Sequence, residues 1–188
     1  IVTPSLPRSP NAGSTLATGS SRSTRPSATS SRSDVAVAIG LVSEAGMPAI
    51  ADPGSSVVRA AHDLGLPVIA LVGPVSLLLA LATSGLNGQN FAFVGYLPST
   101  PAERNQRIRE LESLALKTGQ TQLFIETPYR NTALLDALVQ TLQHNTRLAT
   151  ASGLTLDTAT CHSDMAKNWK QRGWTLANST PAVFAIGR

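Results

Sequence analysis

The sequence contains two short turns rich in glycine and proline, and each of them follows an apolar segment. The first turn covers residues 43–54 (SEAGMPAIADPG) and the second covers residues 72–76 (VGPVS). The apolar residues 35–42 before the first turn are typical of a buried parallel strand, and helical spacing follows the turn. A strand, such a turn and a helix in this order expose backbone N–H groups where α/β proteins bind ligands. A plain strand–helix connection explains the same pattern without a ligand.

The rest of the chain alternates between strand patterns and helix patterns, which predicts an α/β fold with a partly antiparallel end. We predict a helix from residue 55 to about 64, a helix over 75–83, and a helix over 100–116 that begins with a capping box. We place a domain boundary after Tyr96, which divides residues 34–96 from residues 97–188. Further strands are predicted at 68–71, 91–98, 121–125, 147–151, 156–161 and 182–186, and further helices at about 130–142 and 164–171.

Residues 1–33 differ in composition from everything that follows. They contain 10 Ser, 5 Thr, 4 Pro and 4 Arg, and no acidic residue. Such a segment buries too little apolar surface to offset its chain entropy, so it is predicted to be disordered or aberrant. A basic tail that contacts RNA is one interpretation. A fragmentary or wrongly framed N-terminal region explains the change in composition better.

Charge and cysteine content narrow the functional classes. The chain has 15 basic and 11 acidic residues, but without the four Arg of residues 1–33 the count is 11 against 11. Net charge is therefore no argument for nucleic-acid binding by the folded part. Cys161 is the single cysteine, which excludes a disulfide within the chain and fits a reducing cytoplasm. We expect Cys161 in the core and the adjacent His162 at the surface. No metal site and no membrane-spanning segment are predicted.

Four segments in order carry a resemblance to a known family: SEAGMPAIADPG, LVGPVS, FAFVGYLP and FIETPYRN. Together they resemble the tetrapyrrole (corrin/porphyrin) methylase superfamily of S-adenosylmethionine (SAM) methyltransferases, and within it the branch that methylates a ribose 2′-hydroxyl of small-subunit ribosomal RNA. The resemblance extends from about residue 35 to residue 188. It implies two small α/β domains with a cleft between them, in which SAM binds to both turns, and a homodimer in the cytoplasm.

The resemblance also implies which residues contact the cofactor, mainly through backbone groups. Small residues permit close approach of the backbone, and main-chain amides and carbonyls can bind adenine and ribose. The cofactor-binding positions are Ala45, Gly46, Met47, Ile50, Val75, Ser76, Glu126, Leu154 and Ala182.

Methyl transfer from a sulfonium is an in-line displacement, so a methyltransferase mainly has to align its reactants. Glu44, Glu126 and Arg130 are the candidate catalytic residues, because a carboxylate can accept or orient a hydroxyl proton and an arginine can hold a phosphate. A structural ion pair is the alternative role of Glu44 and Arg130. Asp52 is more typical of a helix cap, and Tyr129 either stacks on a base or simply begins a helix.

Two departures from the family pattern limit what the resemblance implies. Val72 stands where the family usually has proline, although Gly73 and Pro74 remain. Nothing in residues 1–33 matches the first strand and loop of the family, so the first domain is expected to be incomplete, with an exposed sheet edge. Two alternatives to the rRNA enzyme stay open: a tetrapyrrole C-methyltransferase, and a remnant that binds SAM without turnover.

Overall fold

The structure, a computed structural model, describes residues 38–44 and 46–188, with only the backbone described at residue 170. The segment 1–33, the first residues of the predicted strand 35–42 and Ala45 lie outside the described residues. The elements are α1 (Ser55–Asp63), α2 (Ser76–Ser84), β1 (Phe91–Tyr96), α3 (Pro101–Thr118), β2 (Thr121–Glu126), a 3-10 turn (Pro128–Arg130), α4 (Asn131–Thr141), β3 (Arg147–Ser152), β4 (Thr160–Met165), α5 (Ala166–Arg172) and β5 (Ala182–Gly187).

These strands form one mixed sheet in the order β1-β2-β5-β3-β4. β1 and β2 are parallel, while the β2–β5, β5–β3 and β3–β4 pairs are antiparallel. β2 and β5 are central and almost completely buried. The sequence of β5 is continuously apolar, as is typical of a strand buried on both faces, whereas β2 combines three apolar residues with Thr121, Gln122 and Glu126. The predicted α/β class with a partly antiparallel end is therefore confirmed.

Helices cover both faces of the sheet. On one face α3, α4 and α5 enclose a core around Phe124 and Phe184, whose parallel rings lie 5.8 Å apart. On the other face α2 packs Leu77 and Leu81 against Leu123 and the small side chains of β3 and β5. The second turn lies at the beginning of α2, so this packing fixes that turn next to the sheet. The nearly continuous apolar sequence of this helix predicts burial on several sides, but the structure buries Leu77 and Leu81 and leaves Leu78 48% exposed.

β1 is an edge strand of this sheet, although the sequence prediction placed it at the end of the first domain. Its register pairs Phe91 with Thr121 and Tyr96 with Ile125. The boundary after Tyr96 stays a prediction, and the pairing of β1 with β2 favours a division before Phe91.

The first unit contains helices but no extended strand among residues 38–44 and 46–90. Only isolated bridges occur there, at Ile39, at Val68 and between Gly46 and Val75. The predicted strands 35–42 and 68–71 are therefore not formed in the part of the chain that the structure describes. Apolar side chains remain exposed in these segments, including Val42 and Val72. A strand forms only against partner strands, so this finding fits the predicted incomplete first domain with its exposed edge.

Several local predictions differ from the structure for identifiable reasons. β4 lies at 160–165 instead of 156–161, because residues 153–159 form two successive turns, closed by hydrogen bonds to Gly153 and Leu156. Cys161 is exposed instead of buried. The expected capping box at Thr100 is absent, since no side chain caps α3. None of the helices in the described ranges has the length and apolar character needed to cross a bilayer.

Candidate functional site

The two glycine–proline turns are joined to each other by backbone contacts. Gly46 and Val75 form an antiparallel bridge, and the Met47 N–H donates a hydrogen bond to the Pro74 carbonyl at 2.9 Å. The turns therefore lie side by side, as a site made from both of them requires.

Glycine is required at position 46 by the neighbouring turn. Its φ angle is +111°, and a Cβ atom built there would lie 2.6 Å from the Pro74 carbonyl oxygen. The sequence interpretation assigned the close approach at this residue to a ligand. In the structure, the group that approaches most closely is the backbone of the second turn.

Among residues 38–44 and 46–188, three residues other than glycine adopt left-handed backbone conformations, and all of them lie in the turns or in a loop beside them. Ala49 and Ala51 belong to the first turn, and Thr155 follows β3. Such conformations are costly for residues with a side chain, and they concentrate at ligand-binding sites. Sequence reasoning did not identify Thr155, although the Ser-Gly pair before Leu154 indicates a turn.

A cavity of about 150 Å³ lies where both turns meet the loop after β3. It brings together Glu44, Gly46, Ser76 and Leu154, which come from three separate segments of the chain. The remaining lining residues are Pro74, Leu79 and Thr155. Four of the predicted site residues therefore share one cavity.

Two further predicted residues lie at one edge of the sheet without lining this cavity. Glu126 ends β2, and its register partner is Ala182, the first residue of β5. Ala182 in turn pairs with Ser152, the last residue of β3, two residues before Leu154. The predicted residues of the second unit thus converge on the edge of the sheet from which the cavity loop begins.

Glu126 and Arg130 form an ion pair, with 3.0 Å between Oε2 and Nη2. The Glu126 side chain is only 1% exposed, whereas that of Arg130 is 25% exposed. The other carboxylate oxygen, Oε1, accepts hydrogen bonds from the backbone N–H and the hydroxyl of Thr127. Both residues are therefore held in fixed positions at the beginning of α4.

The remaining candidates are more dispersed. Met47 lines an apolar trough on the other side of the joined turns, and Val75 packs beneath α2 against the sheet. Ile50 and Tyr129 are exposed. Asp52 does not cap α1, since Gly54 is the N-cap residue and no side chain caps the helix.

The apolar trough encloses about 420 Å³ and is built entirely from the first unit. Leu41, Val42 and residues 68–72 supply most of its wall. We assign the candidate site to the smaller cavity, because that cavity combines both turns with the second unit and has polar groups in its wall. Within the described residues, no group of three potential metal ligands occurs.

Curated relatives match between about half and two thirds of the chain. It is 34% identical over 119 residues to ribosomal RNA small subunit methyltransferase I of Vibrio cholerae, covering 63% of this chain and 40% of the relative. The protein of the same name from Halalkalibacterium halodurans is 40% identical over 101 residues, which covers 54% of this chain and 34% of that protein. The Escherichia coli O157:H7 protein of that name is 32% identical over 124 residues, covering 66% and 42%.

Solved structures give a weaker likeness. The methyltransferase CobJ matches at a TM-score of 0.47 and 16% identity, covering 75% of this chain and 61% of that chain. A uroporphyrin-III C-methyl transferase from Thermus thermophilus, complexed with S-adenyl homocysteine, matches at a TM-score of 0.39 and 16% identity, which covers 72% of this chain and 59% of that chain. Likeness at this level carries no conclusion about function. No model of a known protein family matches the chain.

The chain spans well under half the length of these curated relatives. The chain is a homologue of the proteins named ribosomal RNA small subunit methyltransferase I.

Proposed function

We propose that this chain is the cofactor-binding part of a SAM-dependent methyltransferase that methylates a ribose 2′-hydroxyl in small-subunit rRNA. The names of the curated relatives support the reaction class and the rRNA substrate. The observation that carries the proposal is the hydrogen-bonded pair of turns beside the cavity of Glu44, Ser76 and Leu154.

The cavity wall fits one end of such a cofactor. The Glu44 carboxylate can offset the charge of a sulfonium, and the Ser76 hydroxyl and the uncapped first turn of α2 can donate hydrogen bonds to a carboxylate. The volume of about 150 Å³ is below the ~300 Å³ at which small-molecule sites usually begin. We propose that a second chain supplies the rest of the enclosure.

When bound, SAM supplies an electrophilic methyl group. The residues of this chain then have to orient a ribose hydroxyl and receive its proton. Glu126 is already engaged by Arg130 and Thr127, so we assign it and Arg130 to positioning at the edge of the sheet. Glu44 is exposed beside the cavity and forms no ion pair with another described residue. We therefore propose that its carboxylate accepts the proton of the ribose hydroxyl.

Leu154→Trp tests the proposed cofactor cavity. The indole would fill space between the two turns and the loop after β3, so we expect SAM affinity to fall at least about tenfold, a change of about 1.4 kcal/mol. Isothermal titration calorimetry on the full chain measures this. Leu156→Trp is the matched control, because Leu156 lies in the same loop but is 58% exposed and outside the cavity wall. We expect its affinity to stay within about twofold of the parent chain.

The possible results separate the parts of the proposal. A parent chain that binds no SAM would reject the proposed function. Equal losses in the two variants would reject the assigned cavity but not cofactor binding. Transfer of a labelled methyl group to small ribosomal subunits, located by alkaline hydrolysis, tests the rRNA acceptor, since a 2′-O-methyl group blocks cleavage at its nucleotide.

We also propose that the protein is a homodimer in the cytoplasm. The cytoplasmic location rests on the proposed substrate, and the homodimer rests on the family resemblance, with the exposed apolar side chains of the first unit as support. Sedimentation equilibrium measures the oligomeric state, and a monomer at every concentration would contradict the dimer.

A further inference from the structure

The edge of the sheet that bears Glu126 also bears two exposed aromatic side chains. β1 and β2 are parallel neighbours, so the segments that follow them leave the sheet on the same side. Tyr96 is the last residue of β1 and is 61% exposed, and Tyr129 lies in the turn after β2 and is 72% exposed. Neither ring is used in the core, so both are accessible to a ligand at this edge.

Arg104 belongs to the same edge. It lies in the first turn of α3, one helical turn before the fully buried Ile108, so it is on the face of α3 that packs towards the sheet. Helical side chains incline towards the N-terminus of their helix. The guanidinium of Arg104 is therefore directed towards the segment that connects β1 to α3, at the edge where Tyr96 lies.

The charge of Arg104 has no compensating partner among the described residues. Its Nε atom is buried and has no hydrogen-bond partner, and it forms none of the three ion pairs of the described chain. A partly buried cation without a partner is costly, so this position favours an anion.

The neighbouring arginines do not share this property. Arg107, one turn further along α3, pairs with Glu110 at 3.1 Å, and Arg130 pairs with the buried Glu126. From the sequence alone, Arg104 and Arg107 lie one turn apart on the exposed side of the helix, as a pair that either meets phosphate or stays solvated. In the structure Arg107 is paired with Glu110, whereas Arg104 has no ion-pair partner among the described residues and lies in the first turn of the helix that follows Tyr96 in the chain.

We propose that Arg104, Tyr96 and Tyr129 form a binding site for single-stranded RNA. Arg104 binds a backbone phosphate, and the two tyrosine rings stack on unpaired bases. Exposed rings beside an arginine are the elements with which proteins hold single strands, because every base has a face to stack on and every linkage carries a charge. The site deepens the proposed function, on which it rests, by assigning the residues that hold the acceptor strand at the end of the sheet where β1 and β2 finish.

Binding of fluorescein-labelled oligocytidylate to the full chain, followed by fluorescence anisotropy at several salt concentrations, tests this site. Arg104→Gln should weaken binding about tenfold and lower the slope of log affinity against log salt by about 0.7, as expected for one lost phosphate contact on a single strand. Arg107→Gln is the matched control, with the same change of charge on the same helix, and should stay within about twofold of the parent chain.

Tyrosine variants test the stacking component independently of α3. Tyr129→Ala should weaken binding between about fivefold and a hundredfold, whereas Tyr129→Phe, which keeps the ring, should not. Because Tyr129 is largely exposed, we expect both substitutions to leave the fold intact. Comparison of Tyr129→Ala with Tyr129→Phe therefore tests the RNA site even if Arg104→Gln fails to fold. Thermal unfolding of each variant identifies that failure.

Three results would overturn the site: no binding of oligocytidylate by the parent chain, equal losses in the Arg104 and Arg107 variants, or unchanged affinity in Tyr129→Ala. SAM calorimetry on the same proteins keeps the two proposals apart. If every variant binds SAM normally and one of these three results is obtained, the RNA site is disproved but the proposed function is not. A parent chain without SAM affinity disproves the proposed function, whatever the anisotropy shows.

Discussion

Gly46→Ala is expected to separate the two glycine–proline turns and to abolish cofactor binding. The new methyl group would lie 2.6 Å from the Pro74 carbonyl oxygen, and alanine disfavours the φ angle of +111° at this position. One turn must therefore move, which breaks the hydrogen bond from Met47 to Pro74. We expect a cost above about 2 kcal/mol, seen as a loss of SAM affinity of at least about thirtyfold.

Hydrogen exchange of the Met47 amide measures the same event without a ligand, since its protection depends on that hydrogen bond. Gly73→Ala is the matched control in the partner turn: nothing lies within 4 Å of its added Cβ, and no strained φ is involved. We expect Gly73→Ala to change protection and affinity little. Undiminished protection at Met47 in Gly46→Ala would contradict the joined turns.

Arg130→Ala is expected to destabilise the sheet unit by about 2–3 kcal/mol. The substitution leaves the Glu126 carboxylate buried without its cation, a change that costs about 3–5 kcal/mol for a fully buried pair. The smaller figure applies here because a quarter of the arginine side chain is exposed. Urea denaturation followed by tryptophan fluorescence measures the loss, since Trp169 lies in the core of this unit.

A double-mutant cycle separates the ion pair from other effects of the substitution. Glu126→Gln combined with Arg130→Ala should cost less than the sum of the two single changes, because the double variant has no buried charge left unpaired. Additive costs would show that the pair is not coupled. A loss of SAM affinity in Arg130→Ala, with the fold intact, would contradict the positioning role assigned to it.

The sequence predicted the second unit well and the first unit poorly, for physical reasons. β2 and β5 are buried on both faces, and the apolar residues 123–125 and 182–186 within them located both strands to within one residue. The predicted strands at 35–42 and 68–71 have the same apolar character, but strands need neighbours that the described residues do not supply. β4 was misplaced because the turns at 153–159 interrupt an otherwise plausible strand.

The candidate site shows the same limit. The motif FIETPYRN predicted Glu126 directly after a strand and Arg130 at the beginning of a helix. In the structure Glu126 is the last residue of β2 and Arg130 ends the turn before α4, and their spacing along the chain is compatible with the observed ion pair. The contact of Gly46 with Pro74 joins residues distant in sequence, and no local pattern predicts it. Arg104 and Arg107 look equivalent on a helix, and only the position of Glu110 distinguishes them.

The placement of α2 limits how the two halves of the molecule can move. One nine-residue helix carries the second turn at its beginning and packs along its length against β3, β4 and β5. A hinge that swung the joined turns away from the sheet would strip Leu77 and Leu81 from their apolar contacts. When a ligand enters the cavity, the loops around it therefore have to rearrange while α2 keeps its position on the sheet.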